Sequence, residues 1–366
     1  LTLLELLLVV LILSSVAWMS LSVVSNDADQ VRFEDTRNRL LAIRRAIIGD
    51  TSRTLNGAPE ISGYVADMGG PPPNLHALIS RYYCKDGAGV TQTDCEGGGG
   101  TWTEQAAYSY NADYRIWAGW NGPYLRAAEL SGNPRFLDGW GNDNQANNFG
   151  WNYVLSSTGD LTIQSFGRDG EAVATTDDYE LEYPPSSAQP YIPANAYKIL
   201  ITDEGTAASD DGNGGLFVDF GPIPSCWKCD EHESEVTRKA CIGAGYDWEP
   251  VTSAEDSTAC ATNDGIWLPD VSSEEDICLV VARRIDGAID KLISTKKTFT
   301  WNGTHQLLQF KFADSTYLNQ GQMSFMLVEH DGTNPTTNPF PADMTQWKVF
   351  SVVPGSVLQP LEWDLK

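Results

Sequence analysis

Histidine is scarce in this chain. His76, His232, His305 and His330 are the four among 366 residues, and none stands in an H-E-x-x-H motif, a triad-like arrangement or a ligand cluster. A nucleophile elbow, a P-loop and a dinucleotide fingerprint are also missing. The chain is therefore expected not to be an enzyme. Positive charge is short as well: 24 Lys and Arg stand against 49 Asp and Glu, for a net charge of −25. That balance disfavours nucleic acid and anionic membrane surfaces as partners, because both need clustered cations. The first basic residue is Arg32 and there is no initiator Met. A signal peptide would open with a basic region and end at a small-residue cleavage site. The expectation is a segment already processed, with its hydrophobic part kept.

That segment reads LTLLELLLVVLILSSVAWMSLSVVS, and Glu5 is its one charged side chain. A helix of ~25 residues rises ~37 Å, enough to cross a bilayer core of ~30 Å. A carboxylate inside such a run costs ~2.5–3.5 kcal/mol on insertion scales, so it normally has a partner. The nearest is a free α-amino group, its own or a neighbouring copy's. From residue 26 the charge returns with Asp27, Asp29, Arg32 and Glu34, while Phe33, Leu40, Ile43 and Ile47 recur at the spacing of one buried helical stripe. One helix over about residues 2–53 is expected, ended by Gly57 and Pro59.

Leu-Thr-Leu-Leu-Glu-Leu followed by an unbroken apolar helix resembles the mature N-terminus of type IV pilins and type II secretion pseudopilins. The resemblance implies cleavage by a prepilin peptidase before Leu1, often with N-methylation there. It also implies residence in the inner membrane and then assembly into a helical filament of identical copies by the pilus machinery. Glu5 would neutralise the Leu1 amino group of an adjacent subunit. The family usually has Phe where this chain has Leu1, and many members have Pro where it has Ser22.

Further along, GGPPPNLHALIS predicts a stiff extended entry and a short helix holding Leu75, Leu78 and Ile79. Residues 82–117 read as an insertion. Cys84 and Cys95 enclose ten residues, a loop that a disulfide would stabilise by ~3 kcal/mol in the chain-entropy model. A local pattern recurs: DCEGGGGTW at Cys95, ACIGAGYDW at Cys241 and ACATNDGIW at Cys260 each run from Cys through a glycine-containing spacer to Trp. Small hairpins pinned by disulfides are expected at each. The seven cysteines (Cys84, Cys95, Cys226, Cys229, Cys241, Cys260, Cys278) leave at least one thiol unpaired within the chain. Cys226-Trp-Lys-Cys229 lacks the second close pair of a zinc site and the His of a haem site, so disulfides of open connectivity are favoured there.

Alternation in Trp151–Leu155 and Leu161–Ser165 predicts two strands joined by a turn at 156–160. The second strand runs into Gly167-Arg-Asp-Gly170, and Asp177 and Asp178 follow. Three carboxylates on so short a stretch fit either a solvated acidic loop or a site for a hard cation such as calcium, which takes six to eight oxygens. The order Gly-Pro-Tyr-Leu, Asp-x-Trp-Gly, Ser-x-Gly-x-Asp-Gly and Asp-Asp is similar to that of the major pseudopilin of type II secretion. Asp138, Trp140 and Gly141 match the family's turn, and Ser165, Gly167, Asp169 and Gly170 its loop. The resemblance implies Ca2+ held by Asp169, Asp177 and Asp178. It covers about residues 1–80 and 118–183.

Beyond Pro184-Pro185, strands are expected at 197–202, 216–220, 277–282, 306–312, 323–329 and 347–353, with a short helix at 286–293. The expected fold class is α+β: a long, pilin-like N-terminal α-helix packed on a small antiparallel β-sheet domain, then a second, mainly-β, sandwich-like domain. The expected divisions are 1–25 for the hydrophobic helix and 26–54 for its amphipathic half. A globular domain follows at 55–185, and a β-rich domain at 186–366 with a Cys-rich loop at 224–278. The expected function is a structural subunit of an extracellular filament, resident in the inner membrane before assembly. A minor tip pilin acting as an adhesin through its C-terminal domain is the first alternative. A membrane-anchored surface enzyme is the second.

Overall fold

The computed structural model describes residues 3–50, 53–55, 58–59, 61–130, 132–143, 147–157, 159–168, 170, 191–192, 198–200, 215–221, 226–229, 248–250, 260, 266–267, 273–301, 305–313, 316–340, 347–353 and 358–363. For 3–6, 17–27, 54–55, 58–59, 130, 191–192, 198–200, 248–250, 266–267 and 273 it describes the backbone alone. The class is mixed α+β: helix at the N-terminus, then many antiparallel strands, with a curled sheet in the C-terminal part. The chain divides into two compact units. One is Leu1–Ala107 with Gly119–Ala196, the other Tyr108–Ala118 with Tyr197–Lys366.

The first unit begins with an α-helix over Leu3–Ile48. Its early apolar residues, Leu7 through Leu13 and Val16, are exposed. Its last turns bury Ile43, Ala46, Ile47 and Ile48, the end of the stripe read from the sequence, while Phe33 and Leu40 are half-buried. The helix stops earlier than its expected end near residue 53. Gly49 takes a left-handed φ of 74° and its N–H donates to the Arg45 carbonyl at 2.8 Å. A Cβ there would meet the Ser62 carbonyl oxygen at 2.5 Å, so only glycine lets the returning chain cross so closely.

Two short helical pieces pack next. Tyr64–Met68 is an α-helix closed by left-handed Gly69, and Leu75–Leu78 is a 3-10 helix. Asn74 caps the latter: its Oδ1 accepts from the Ala77 N–H at 3.1 Å, and its Nδ2 donates to the Cys84 carbonyl at 3.0 Å. Buried Gln105 ties these pieces together. Its amide donates to the carbonyls of Ala77 and Ser80, and its oxygen accepts from the Tyr64 hydroxyl at 2.6 Å. The strands Trp151–Leu155 and Leu161–Ser165 pair antiparallel with Trp151 opposite Ser165. Leu161, Ile163 and Ser165 face inward.

The second unit is built on a six-stranded sheet. Its centre is two long strands, Ser273–Ile285 and Gly321–His330, paired antiparallel from Ile277 opposite Glu329 to Ala282 opposite Ser324. The other edge of Ser273–Ile285 takes two partners in succession, Lys297–Trp301 and then Ala288–Ile293. Gly321–His330 likewise takes Lys348–Val352 and Pro335–Pro339. The period of two puts a core on each face. Ile277, Leu279 and Val281 join Phe299, Trp301, Phe310, Phe325 and Trp363. Cys278, Val280 and Ala282 join Val328, Trp347 and Ile116. Ile116 arrives on the hairpin Ser109–Asn111 and Ile116–Ala118. Fully burying each large apolar side chain contributes ~1.5–3 kcal/mol.

The chain after Ser273–Ile285 also differs from expectation. Residues 286–293 do not form a helix; Ala288–Ile293 is a strand. Asp286 and Gly287 both have positive φ, 52° and 77°, which makes a tight reversal. The chain then returns along Ser273–Ile285, with Ile285 opposite Ala288.

Candidate functional site: a clasp on the long helix

The Asp138–Gly141 turn joins three parts of the first unit. The Asp138 carboxylate is 3% exposed and accepts four hydrogen bonds. Oδ1 takes the N–H groups of Trp140 and Asn142, both at 3.0 Å. Oδ2 takes the Asn142 side-chain amide at 2.7 Å and the Ser165 hydroxyl at 2.6 Å. Asn142 also donates to the Gly167 carbonyl at 2.7 Å, and Ser165 Oγ accepts from the Gly167 N–H at 2.9 Å. The turn and the start of the acidic loop are thus one hydrogen-bonded body.

The same turn is fastened to the helix. Thr36 Oγ1 donates to the Arg32 carbonyl at 2.8 Å and accepts from the Gly139 N–H at 2.9 Å. Arg39 donates to the Leu137 carbonyl at 2.8 Å, and the Arg32 guanidinium lies 5.7 Å from the Trp140 ring centre. A Cβ on Gly139 would sit 2.1 Å from the Arg32 carbonyl oxygen, so a larger residue would push the turn off the helix. Arg168 reaches back to Asp29 at 3.0 Å. Gly167 is thus held to the turn and Arg168 to the long helix.

Asp169, Asp177 and Asp178 lie outside the described residues, as does Leu1. Glu5 lies on the Leu3–Ile48 helix, where the backbone alone is described. Among the described residues no group of three or more His, Cys, Asp or Glu could hold a metal ion. Asp138 accepts from four donors, and the Gly167 carbonyl accepts from Asn142. Among the described residues no helix is long and apolar enough to cross a membrane.

His76 is buried elsewhere in the first unit. Its backbone N–H donates to the Asn147 carbonyl at 2.9 Å, and its ring lies 6.0 Å from Phe149 and 6.1 Å from Trp102. Burial, with a smaller contribution from Arg135, lowers its pKa to about 4. The ring is therefore neutral at neutral pH.

Cys84 and Cys95 are bonded to each other, as are Cys226 and Cys260. Cys229 is also disulfide-bonded, so the C-x-x-C holds no zinc. Cys278 is a buried free thiol whose pKa burial raises. The sequence pointed to Asp138 only through the family-like turn. Thr36, Arg39, Asn142 and the Asp29–Arg168 pair went unmarked. The dense Asp and Asn run at 138–143 is the one local signal that could have found Asn142. No family model, curated protein or solved structure matches this chain.

Proposed function

We propose that the chain is a structural subunit of an extracellular filament of the type IV pilus or pseudopilus class. The observation that carries this reading is the long helix. Its C-terminal half is clasped to the rest of the first unit through Thr36, Arg39 and Ile47, while Leu7, Leu11, Leu13 and Val16 are each more than half exposed. An apolar stretch presented this way needs a cover. Packing against copies of itself would bury the remaining area of residues 7–16, a gain on the order of 10 kcal/mol per subunit. Glu5 would set axial register against a neighbour's Leu1 amine. Ca2+ at Asp169, Asp177 and Asp178 would lock the loop that leaves the clasp, with the carboxylates neutralising the ion and the clasp fixing the loop's first residues. In this reading the first unit is the pilin-like helix-and-sheet body. The second is a sandwich-like accessory domain facing outward.

Electron microscopy of sheared surface fibres, with mass spectrometry of the subunit N-terminus, tests the proposal. Fibres built of this chain with a methylated Leu1 are expected; a water-soluble monomer found in no fibre would overturn it. The second unit is built on its own six-stranded sheet, bulky for a repeating subunit. That favours a second reading, a minor subunit at the filament tip that adheres through this unit. Subunit stoichiometry in purified fibres separates the two.

A further inference from the structure

We propose that Cys229 and Cys241 form a third cystine, built on the same local plan as the two described. In the first copy Cys84 lies opposite Trp102 across the strand pair, and Cys84 is bonded to Cys95, seven positions before that Trp. In the second copy Cys226 lies opposite Trp267 and is bonded to Cys260, again seven positions before its Trp. Both copies follow one rule: the cysteine paired across the strands with a Trp bonds to the cysteine seven residues ahead of that Trp.

The rule applies once more. Cys229 lies opposite Trp248, and the residue seven positions before Trp248 is Cys241. Cys229 and Cys241 are twelve positions apart, close to the eleven that separate Cys84 and Cys95. Cysteine accounting agrees. Cys229 is disulfide-bonded, Cys278 is free, and the other four bonded or matched cysteines are spent. The glycine at the crowded point varies between copies. Gly100 sits where a Cβ would meet Cys84 Sγ at 2.6 Å, and Gly265 holds the equivalent place before Trp267, while the third copy has Gly245-Tyr246. The cross-strand register, not the glycine, carries the assignment.

The strand Cys226–Cys229 then bonds to both of its neighbours, with Cys226 tied toward Ile266–Trp267 and Cys229 toward Trp248–Pro250. Closing the third bond takes two thiols to one disulfide, with two electrons and two protons passing to a disulfide donor, which is reduced to two thiols by thiol–disulfide exchange. The bond is intramolecular, so it leaves Cys278 as the single thiol.

The test is disulfide mapping of the full chain, alkylated with iodoacetamide in denaturant without reductant, then cut by trypsin and a Glu-specific protease. Trypsin separates Cys226 from Cys229 after Lys228, and cuts after Glu255 and Glu275 separate Cys241, Cys260 and Cys278. The expected product links the peptide beginning at Cys229 to the one spanning 240–255, with alkylation on Cys278 alone. In Cys241→Ser the alkylated thiols should rise from one to two, the second at Cys229, with Cys226 and Cys260 still linked. Alkylated Cys241 in the wild type, a peptide joining Cys278 to Cys229 or Cys241, or a disulfide between two chains would overturn the assignment. The wild-type map decides the question even if the variant does not fold.

Discussion

Removing the Asp138 carboxylate tests the clasp most sharply. Four donors converge on it, two backbone N–H groups and two side chains. A hydrogen bond to a charged group contributes ~1.5–3 kcal/mol net, and orphaning a buried donor costs ~1–3 kcal/mol. In Asp138→Ala the Asn142 amide keeps Gly167 and the Ser165 hydroxyl can turn, but the N–H groups of Trp140 and Asn142 lose their acceptor. The expected loss is about 3–5 kcal/mol, a large share of a typical stability of ~5–15 kcal/mol. Asp138→Asn keeps the oxygen that serves the two backbone groups and sets an NH2 against Asn142 and Ser165. It should cost about 1–2 kcal/mol. Urea unfolding of the chain followed by tryptophan fluorescence measures the loss, with Trp140 and Trp151 in or beside the clasp contributing to the signal. A loss below 1 kcal/mol in Asp138→Ala would refute the idea that this carboxylate organises the turn.

Three further outcomes follow from the same geometry. His76 is held neutral with its pKa lowered to about 4 against 6.5 when unfolded. Its contribution is complete above pH 6.5 and is lost as pH falls toward 4, by up to about 3 kcal/mol. Unfolding midpoints in urea at pH 7 and pH 4.5 should therefore differ more in the wild type than in His76→Asn. Gly139→Ala should cost ~1–3 kcal/mol, since its Cβ would meet the Arg32 carbonyl at 2.1 Å; an unchanged melting temperature would contradict the close approach. Asp177→Ala combined with Asp178→Ala should lower protease resistance in calcium, and equal digestion of mutant and wild type with and without chelator would remove the metal site.

The parts of the fold that were legible in the sequence are those with a local period. The apolar stripe ending at Ile43 and Ile47 marked the long helix, and strict alternation marked Trp151–Leu155 and Leu161–Ser165. The helix end was misplaced because Gly49 stops it through a crossing with Ser62 that no local pattern announces. Ala288–Ile293 was misread because its strand character comes from pairing with Ser273–Ile285 after the Asp286–Gly287 reversal, not from alternation of its own. The clasp was least visible. Thr36 meets Gly139 and Arg39 meets Leu137 about a hundred positions away, and single polar residues carry no periodicity. The Cys-to-Trp pattern was the reverse case. It stood in the sequence three times, but the bonding rule needed the strand register to give it meaning.

In the proposed filament an apolar helix leaves the membrane for the core, with Glu5 matched to a neighbour's N-terminus. Fibre yield from cells expressing Glu5→Ala beside the wild type measures it. A normal amount of subunit in the membrane fraction and few or no sheared fibres are expected. Fibres at the wild-type level would contradict it.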